Sequence, residues 1–361
     1  MSEFEAVSEQ QEAKRLLSSA LVEGPAHAYL LHGPPGVGKR DLALLFAAQL
    51  LGDHARVERR SHPDLYVLEP LGDQIRIDDV RALRRDLHMR PFEAARRVYL
   101  VFGADTMNED AADALLKDLE EPPPYVVLVL VANDLGPLPE TIRSRCQLVP
   151  FRRLSEPAVR AAIRTRAPEL PEEEVTTLSR VAGGRLDRVA RLLDPAAAKR
   201  RETLLGVARA VYLDPELDTA EATEALLAGI AERGAEAREK AEEAIALVEL
   251  TGREAEQRAR RAQRGAERDE LLAVLEELEW WYRDLVVLAA GAEAAVVHVD
   301  RLDELRADAS RERLLAAERA CELVRDAWRQ AEELQLSTPL ALEALLLRLR
   351  RELAGPAVSV A

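Results

Sequence analysis

The chain has little sulfur to work with. Among 361 residues there are three methionines and two cysteines, Cys146 and Cys321, far apart in sequence. Two thiols build neither a disulfide framework nor a four-thiolate zinc site. Aromatics are scarce at 4%, and their one cluster, Trp280-Trp281-Tyr282, sits in an apolar, helix-rich stretch where packing is the expected role. No run of about 18 uncharged apolar residues occurs, so no membrane-spanning helix is expected. The start, Met1-Ser2-Glu3-Phe4-Glu5, is acidic and lacks an apolar core, so a signal peptide is not expected and a cytoplasmic protein is. Positive charge is in deficit: 50 Lys and Arg against 65 Asp and Glu leave −15 at pH 7. That balance argues against independent nucleic-acid binding, because neutralising phosphate supplies most of such affinity.

What is present points to a folded, helix-dominated chain. Hydrophobic residues make up 48% and charged residues 32%, with Ala, Leu, Glu and Arg prevailing. The length calls for two or three domains. Residues 8–23 have helical apolar spacing and stop at Gly24-Pro25. Short apolar runs at 28–31, 65–68, 97–102 and 125–131 read as strands, with helices at 41–51, 78–89 and 111–119 between them. Strands alternating with helices predict a parallel sheet covered on both faces. After Phe151 the strands stop. Two or three short helices follow around Gly183-Gly184, and from about 206 onward the pattern is helical throughout. The charged stretch 231–268 reads as a solvated helical hairpin rather than a disordered tail. In the last helix Thr338 can cap, Pro339 fits the first turn, and Leu340, Leu342, Leu345, Leu346 and Leu349 form an apolar face.

Between the first strand and its helix lies Gly33-Pro34-Pro35-Gly36-Val37-Gly38-Lys39-Arg40. This matches a phosphate-binding loop, G-x-x-x-x-G-K-[ST], at every position but the last. The glycines let backbone amides close around phosphate, the lysine reaches the β and γ oxygens, and the final hydroxyl holds Mg²⁺. Arg40 cannot ligate the metal. Gly33, Gly36, Gly38 and Lys39 can still hold phosphate, with Arg40 adding positive charge. Equally, the arginine can fill the pocket and exclude nucleotide, leaving a structural loop. An ATPase relative that no longer hydrolyses ATP fits either reading.

Four further segments carry a resemblance: Ser61-His62-Pro63-Asp64, Asp113 through Leu115-Leu116-Lys117 to Glu120-Glu121-Pro122-Pro123, Leu138 through Ser144-Arg145-Cys146, and Leu340 to Leu347. In this order and spacing the chain resembles the bacterial DNA polymerase III clamp-loader subunits of the AAA+ class, densest over 27–151 and weak between 200 and 330. The resemblance implies an α/β plus all-α fold: an AAA+ parallel-sheet P-loop domain (1–152), a small helical lid (153–205) and a helical collar (206–361). Two types compete, the hydrolysing gamma/tau motor and the delta-prime subunit.

Local chemistry favours delta-prime. In the family's register the acidic pair that positions Mg²⁺ and activates water falls at Phe102 and Gly103, while Asp105 lies beyond the strand. With Arg40, three elements of metal-assisted phosphoryl transfer are missing together. The lid arginine that senses nucleotide falls at Asp187, between Arg185 and Arg188. Arg145 corresponds to the arginine finger given in trans to a neighbour's ATP, a contribution of roughly 10³–10⁵ in rate where measured; its other reading is a surface arginine at a turn. It is placed where a helix start can aim it outward. Cys146 is expected to pack and Asn133 to form a turn.

The family's four-cysteine zinc module is missing from 52–61, so no metal is expected. His54 and His62 read as a surface histidine and a turn former. The expected role is a non-hydrolysing subunit of DNA-directed DNA polymerase that assembles with delta and gamma/tau. Sliding clamp and primer-template DNA are met through the assembly, and no cofactor is expected unless ATP, ADP or phosphate occupies the loop. The alternatives are an active gamma/tau-like ATPase or a structural AAA+ adaptor of another complex.

Overall fold

The computed structural model describes residues 4–70, 74–245, 252–333 and 337–354. Met1–Glu3 of the N-terminal reading, and residues 246–251 of the stretch expected to form a hairpin, lie outside them. Contacts divide the chain into two compact units, Met1–Pro168 with Ala182–Val189, and Glu169–Val181 with Ala190–Ala361. Segment 153–205 contributes to both.

The first unit runs α1 (Gln11–Glu23), β1 (Ala28–His32), α2 (Lys39–Leu51), α3 (His54–Glu58), β2 (Leu65–Leu68), α4 (Ile77–Leu87), β3 (Arg97–Phe102), α5 (Glu109–Glu120), β4 (Val126–Ala132), α6 (Glu140–Arg143), β5 (Gln147–Pro150) and α7 (Glu156–Arg166). The sheet is parallel, in the order β2-β3-β4-β1-β5. Strand β1 is therefore interior, and the loop that follows it opens at the carboxyl ends of the strands, where α/β sheets bind ligands. Side chains alternate between the two faces of each strand. Tyr29 and Leu31 of β1 pack with Leu42 and Phe46 on one face; Ala28 and Leu30 pack with Leu83 and Leu115 on the other. Both faces are covered, which is why the strands read as continuous apolar runs.

Three local readings need correction. The sheet has a fifth strand, since β5 pairs with β1 from Tyr29↔Gln147 to His32↔Pro150. Its Gln147 and Leu148 are exposed and it ends in proline, a composition tolerated only at a sheet edge. Helix α1 begins at Gln11 rather than at 8, because Glu9 and Gln10 adopt φ of 54°. Long-range bonds hold them there: Glu9 accepts from Ser155 N at 3.0 Å, and the Gln10 amide donates to Arg152 O at 2.7 Å. Helix α3 occupies residues 54–58, for which no element was expected, capped by Asp53, which accepts from Arg56 N at 2.9 Å.

The second unit is helical, comprising α8 (Glu172–Val181), α9 (Leu186–Leu193, whose first half counts with the first unit), α10 (Pro195–Leu213), α11 (Thr219–Ile245), α12 (Gly252–Ala289), α13 (Leu302–Asp308), α14 (Leu314–Glu333) and α15 (Thr338–Leu353). Helices α11 and α12 pack along each other as the expected hairpin, bridged by Arg238–Glu256 at 2.9 Å, while Glu256 also pairs with Arg260 of its own helix at 2.5 Å. Trp281 and Tyr282 are fully buried in the core of this unit, and Trp281 Nε1 donates to Tyr212 Oη at 3.2 Å. In α15, Leu342, Leu345, Leu346 and Leu349 face inward as read. Leu340 is instead 67% exposed, and Ser337 stands at the cap position, with Thr338 the first helical residue. No helix among the described residues is long and apolar enough to cross a membrane.

Candidate functional site

The phosphate loop is formed, but the chain's own groups occupy it. Lys39, the first residue of α2, is only 5% exposed, and its Nζ donates to the Gly33 and Pro34 carbonyls of its own loop. Burial pushes its ammonium down to about 8; the Asp105 and Asp187 carboxylates oppose that fall and Arg185 reinforces it. Gly36 has φ of 67°, and a Cβ there would come within 1.8 Å of Asp187 Oδ1. Leu186 N donates to the Gly36 carbonyl at 2.7 Å. The start of α9 is thus seated on the loop, with a carboxylate where bound phosphate would bring negative charge. Burial alone would raise the Asp187 carboxyl, yet bonding to Arg185, at 3.1 and 2.6 Å, and to backbone amides holds it below the usual carboxylate range. From the other side, Gln10 Nε2 donates to the Val37 carbonyl at 3.3 Å. Of the five residues read as a phosphate cradle, Gly33, Gly36, Gly38 and Lys39 come together as the pattern requires.

Arg40 turns away from the loop. Its guanidinium pairs with Glu69, just past β2, and lies 4.2 Å from the centre of the Phe102 ring. The contact between the guanidinium and the Phe102 ring is a cation–π contact. Gly103 turns the chain with φ of 66°, and Asp105 beyond it stays near enough to Lys39 to favour the charged ammonium. Its Oδ2 accepts from Asn133 N at 2.9 Å and Asp134 N at 3.1 Å, fixing the turn after β4.

Arg145 follows the C-terminal end of the short helix α6, not a helix start. It lies in the turn at 144–146 that joins α6 to β5. Its Nη1 donates to Thr141 O at 2.8 Å and its Nη2 to Glu120 Oε1 at 2.5 Å. Two residues earlier, Arg143 has a buried Nε with no partner among the described residues. Cys146 packs beside the sheet core and burial pushes its thiol up to about 12, which disfavours the nucleophilic thiolate.

His54 meets Gln49 Nε2 at 2.9 Å on the surface. His62, in contrast, is 4% exposed. Its Nδ1 accepts from Asp64 N at 3.1 Å, so it shapes its turn from inside. Asp64, read in the sequence only as part of the Ser61–Asp64 segment, is fully buried and accepts from the consecutive amides of Phe92, Glu93 and Ala94 at 2.6, 2.9 and 2.9 Å. Burial raises its carboxyl, but the three amides outweigh that and lower it. Its only signal was the spacing Ser-His-Pro-Asp; its partners lie about 30 residues away.

Residues 9–155 match the sequence model of the family described as DNA polymerase III, delta subunit. The chain is 34% identical over 158 residues to the DNA polymerase III subunit delta' of Bacillus subtilis, covering 40% of this chain and 48% of that protein. It is 39% identical over 170 residues to the subunit delta' of Pseudomonas aeruginosa, covering 42% and 50%. The DNA polymerase III subunit tau of Bacillus subtilis is also similar, at 30% over 170 residues, covering 43% and 30%. The chain thus spans about half the length of the delta' relatives it matches.

Proposed function

We propose, from a chain whose residues 9–155 are of the delta-prime clamp-loader type, that it is a non-hydrolysing stator of a cytoplasmic DNA polymerase III clamp loader. It assembles with delta and gamma/tau, and through that assembly it meets the sliding clamp and primer-template DNA. Residues 1–152 serve as the AAA+ domain, 153–205 as the lid and 206–361 as the collar. The loop takes neither ATP, ADP nor phosphate, so the chain has no ATPase of its own. Arg145 is given in trans to the ATP of the adjacent subunit, where its charge offsets that developing on the γ-phosphate.

One observation carries this reading. Lys39, Asp187 and Gln10 bind the phosphate loop from within the chain, while Arg40 and Phe102 stack where a motor holds Mg²⁺. Hydrolysis of the gamma/tau kind needs those places open.

The test is the clamp- and primed-DNA-stimulated ATPase of a reconstituted loader carrying wild-type chain or Arg145→Ala. The site completed by this chain should lose roughly 10³-fold or more in rate, with assembly intact by gel filtration. Wild-type turnover from the Arg145→Ala loader would leave Arg145 a surface residue and favour the structural adaptor.

A further inference from the structure

Glu120 is the last residue of α5, and its Oε1 lies 2.5 Å from Arg145 Nη2 while Nη1 holds the Thr141 carbonyl. Both side chains are partly open to solvent, 51% and 33% exposed. The guanidinium is therefore held by its own subunit with its charge countered. The end of α5 also directs negative backbone potential toward a nearby cation. A planar guanidinium recognises carboxylate and phosphate through the same forked donors. The donors engaged here are those a γ-phosphate would take.

We propose that Glu120 is a positioning residue that latches Arg145 onto its own subunit until a nucleotide-bearing neighbour displaces it. The proposal rests on the reading of Arg145 as an arginine acting in trans. An exposed ion pair is weak, so a triphosphate, with its larger charge, prevails over it. The latch appears as a reduced fraction of competent arginine, which raises the ATP concentration the neighbouring site requires. It leaves the rate at saturation alone, because the pair is already broken in the occupied state.

The experiment titrates ATP against reconstituted loaders carrying the full chain as wild type, Glu120→Gln, Arg145→Ala and the double variant, with Glu121→Gln as a neighbouring control. Glu120→Gln should lower the apparent KM for ATP about two- to five-fold with kcat within about twofold. Glu121→Gln should leave KM in place, and the double variant should match Arg145→Ala. Wild-type turnover from Arg145→Ala overturns the trans-arginine reading itself. A loss from Arg145→Ala with an unchanged or raised KM in Glu120→Gln overturns the latch alone, as does an equal fall in KM from Glu121→Gln.

Discussion

Arg40 and Asp187 close the phosphate loop by different means. Arg40 spends its charge on Glu69 and the Phe102 ring, so it is a missing ligand rather than an obstacle. Asp187 sits against Gly36, and in the proposed reading its carboxylate is what keeps phosphate out. The wild-type chain should accordingly give no signal with a fluorescent ATP analogue at high micromolar concentration. Arg40→Ser alone should not change that, whereas Arg40→Ser with Asp187→Ala should yield saturable, Mg²⁺-dependent binding. Saturable binding by Arg40→Ser alone would show that the carboxylate does not guard the loop. The missing hydroxyl at position 40 was legible in the sequence because a motif supplies its own template. Asp64, Gln10 and Glu120 were not legible, because each acts on a partner between 25 and 142 residues away. Polar pairing at that range leaves no periodic trace.

Among the elements, α12 carries a buried polar relay. His298 Nδ1 is 2.8 Å from Asp284 Oδ2, its Nε2 is 3.3 Å from Glu277 Oε1, and the Trp281 ring packs edge-on at 5.5 Å. Arg201 bonds Glu277 and Asp300, and Arg283 bonds Asp284. Burial alone would lower the imidazole, but the two carboxylates outweigh it and raise its pKa. A pKa raised in the folded chain means that protonation favours folding. The contribution is complete below about 6.5 and is lost as pH rises through the raised value. Calorimetry should therefore show a melting temperature that falls between pH 6 and pH 9, with a shallower fall in His298→Gln. Parallel profiles would mean that His298 does not titrate in this window. Elements with strong periodicity were readable in advance: β1 to β4 as apolar runs, α4 and α5 by their spacing. Strand β5 was not, since four residues with two exposed and a terminal proline give no pattern; only pairing with β1 defines it. The five-residue α3 rests on the Asp53 cap, and short helices draw their stability from such contacts rather than from propensity.

For the whole molecule, charge is the readable property. A net charge of −15 opposes a polyanion unless basic side chains gather on one face. The isolated chain should show no measurable affinity for primed DNA at about 0.15 M salt, while the assembled loader should bind with a steep salt dependence. Fluorescence anisotropy on both decides the matter, and tight binding by the chain alone would contradict the proposal that DNA is met through the assembly. The division into compact units belongs to this scale too, and it was the least readable feature. Segment 153–205 looks uniform in sequence, yet Ala182–Val189 counts with the sheet unit and its flanks with the helical one. What ties that short stretch to the sheet unit is tertiary: Leu186 N on the Gly36 carbonyl, and the Gly184 carbonyl accepting from Leu154 N at 3.0 Å.

The seat of Asp187 on Gly36 also bears on how such a loop changes over generations. Any side chain at position 36 collides with that carboxylate, and Lys39 is bound to two carbonyls of its own loop. Substitution there is resisted by packing even where no nucleotide is at stake. A glycine pattern of this kind can outlive its chemistry, and its persistence in a lineage is then a record of geometry rather than of turnover.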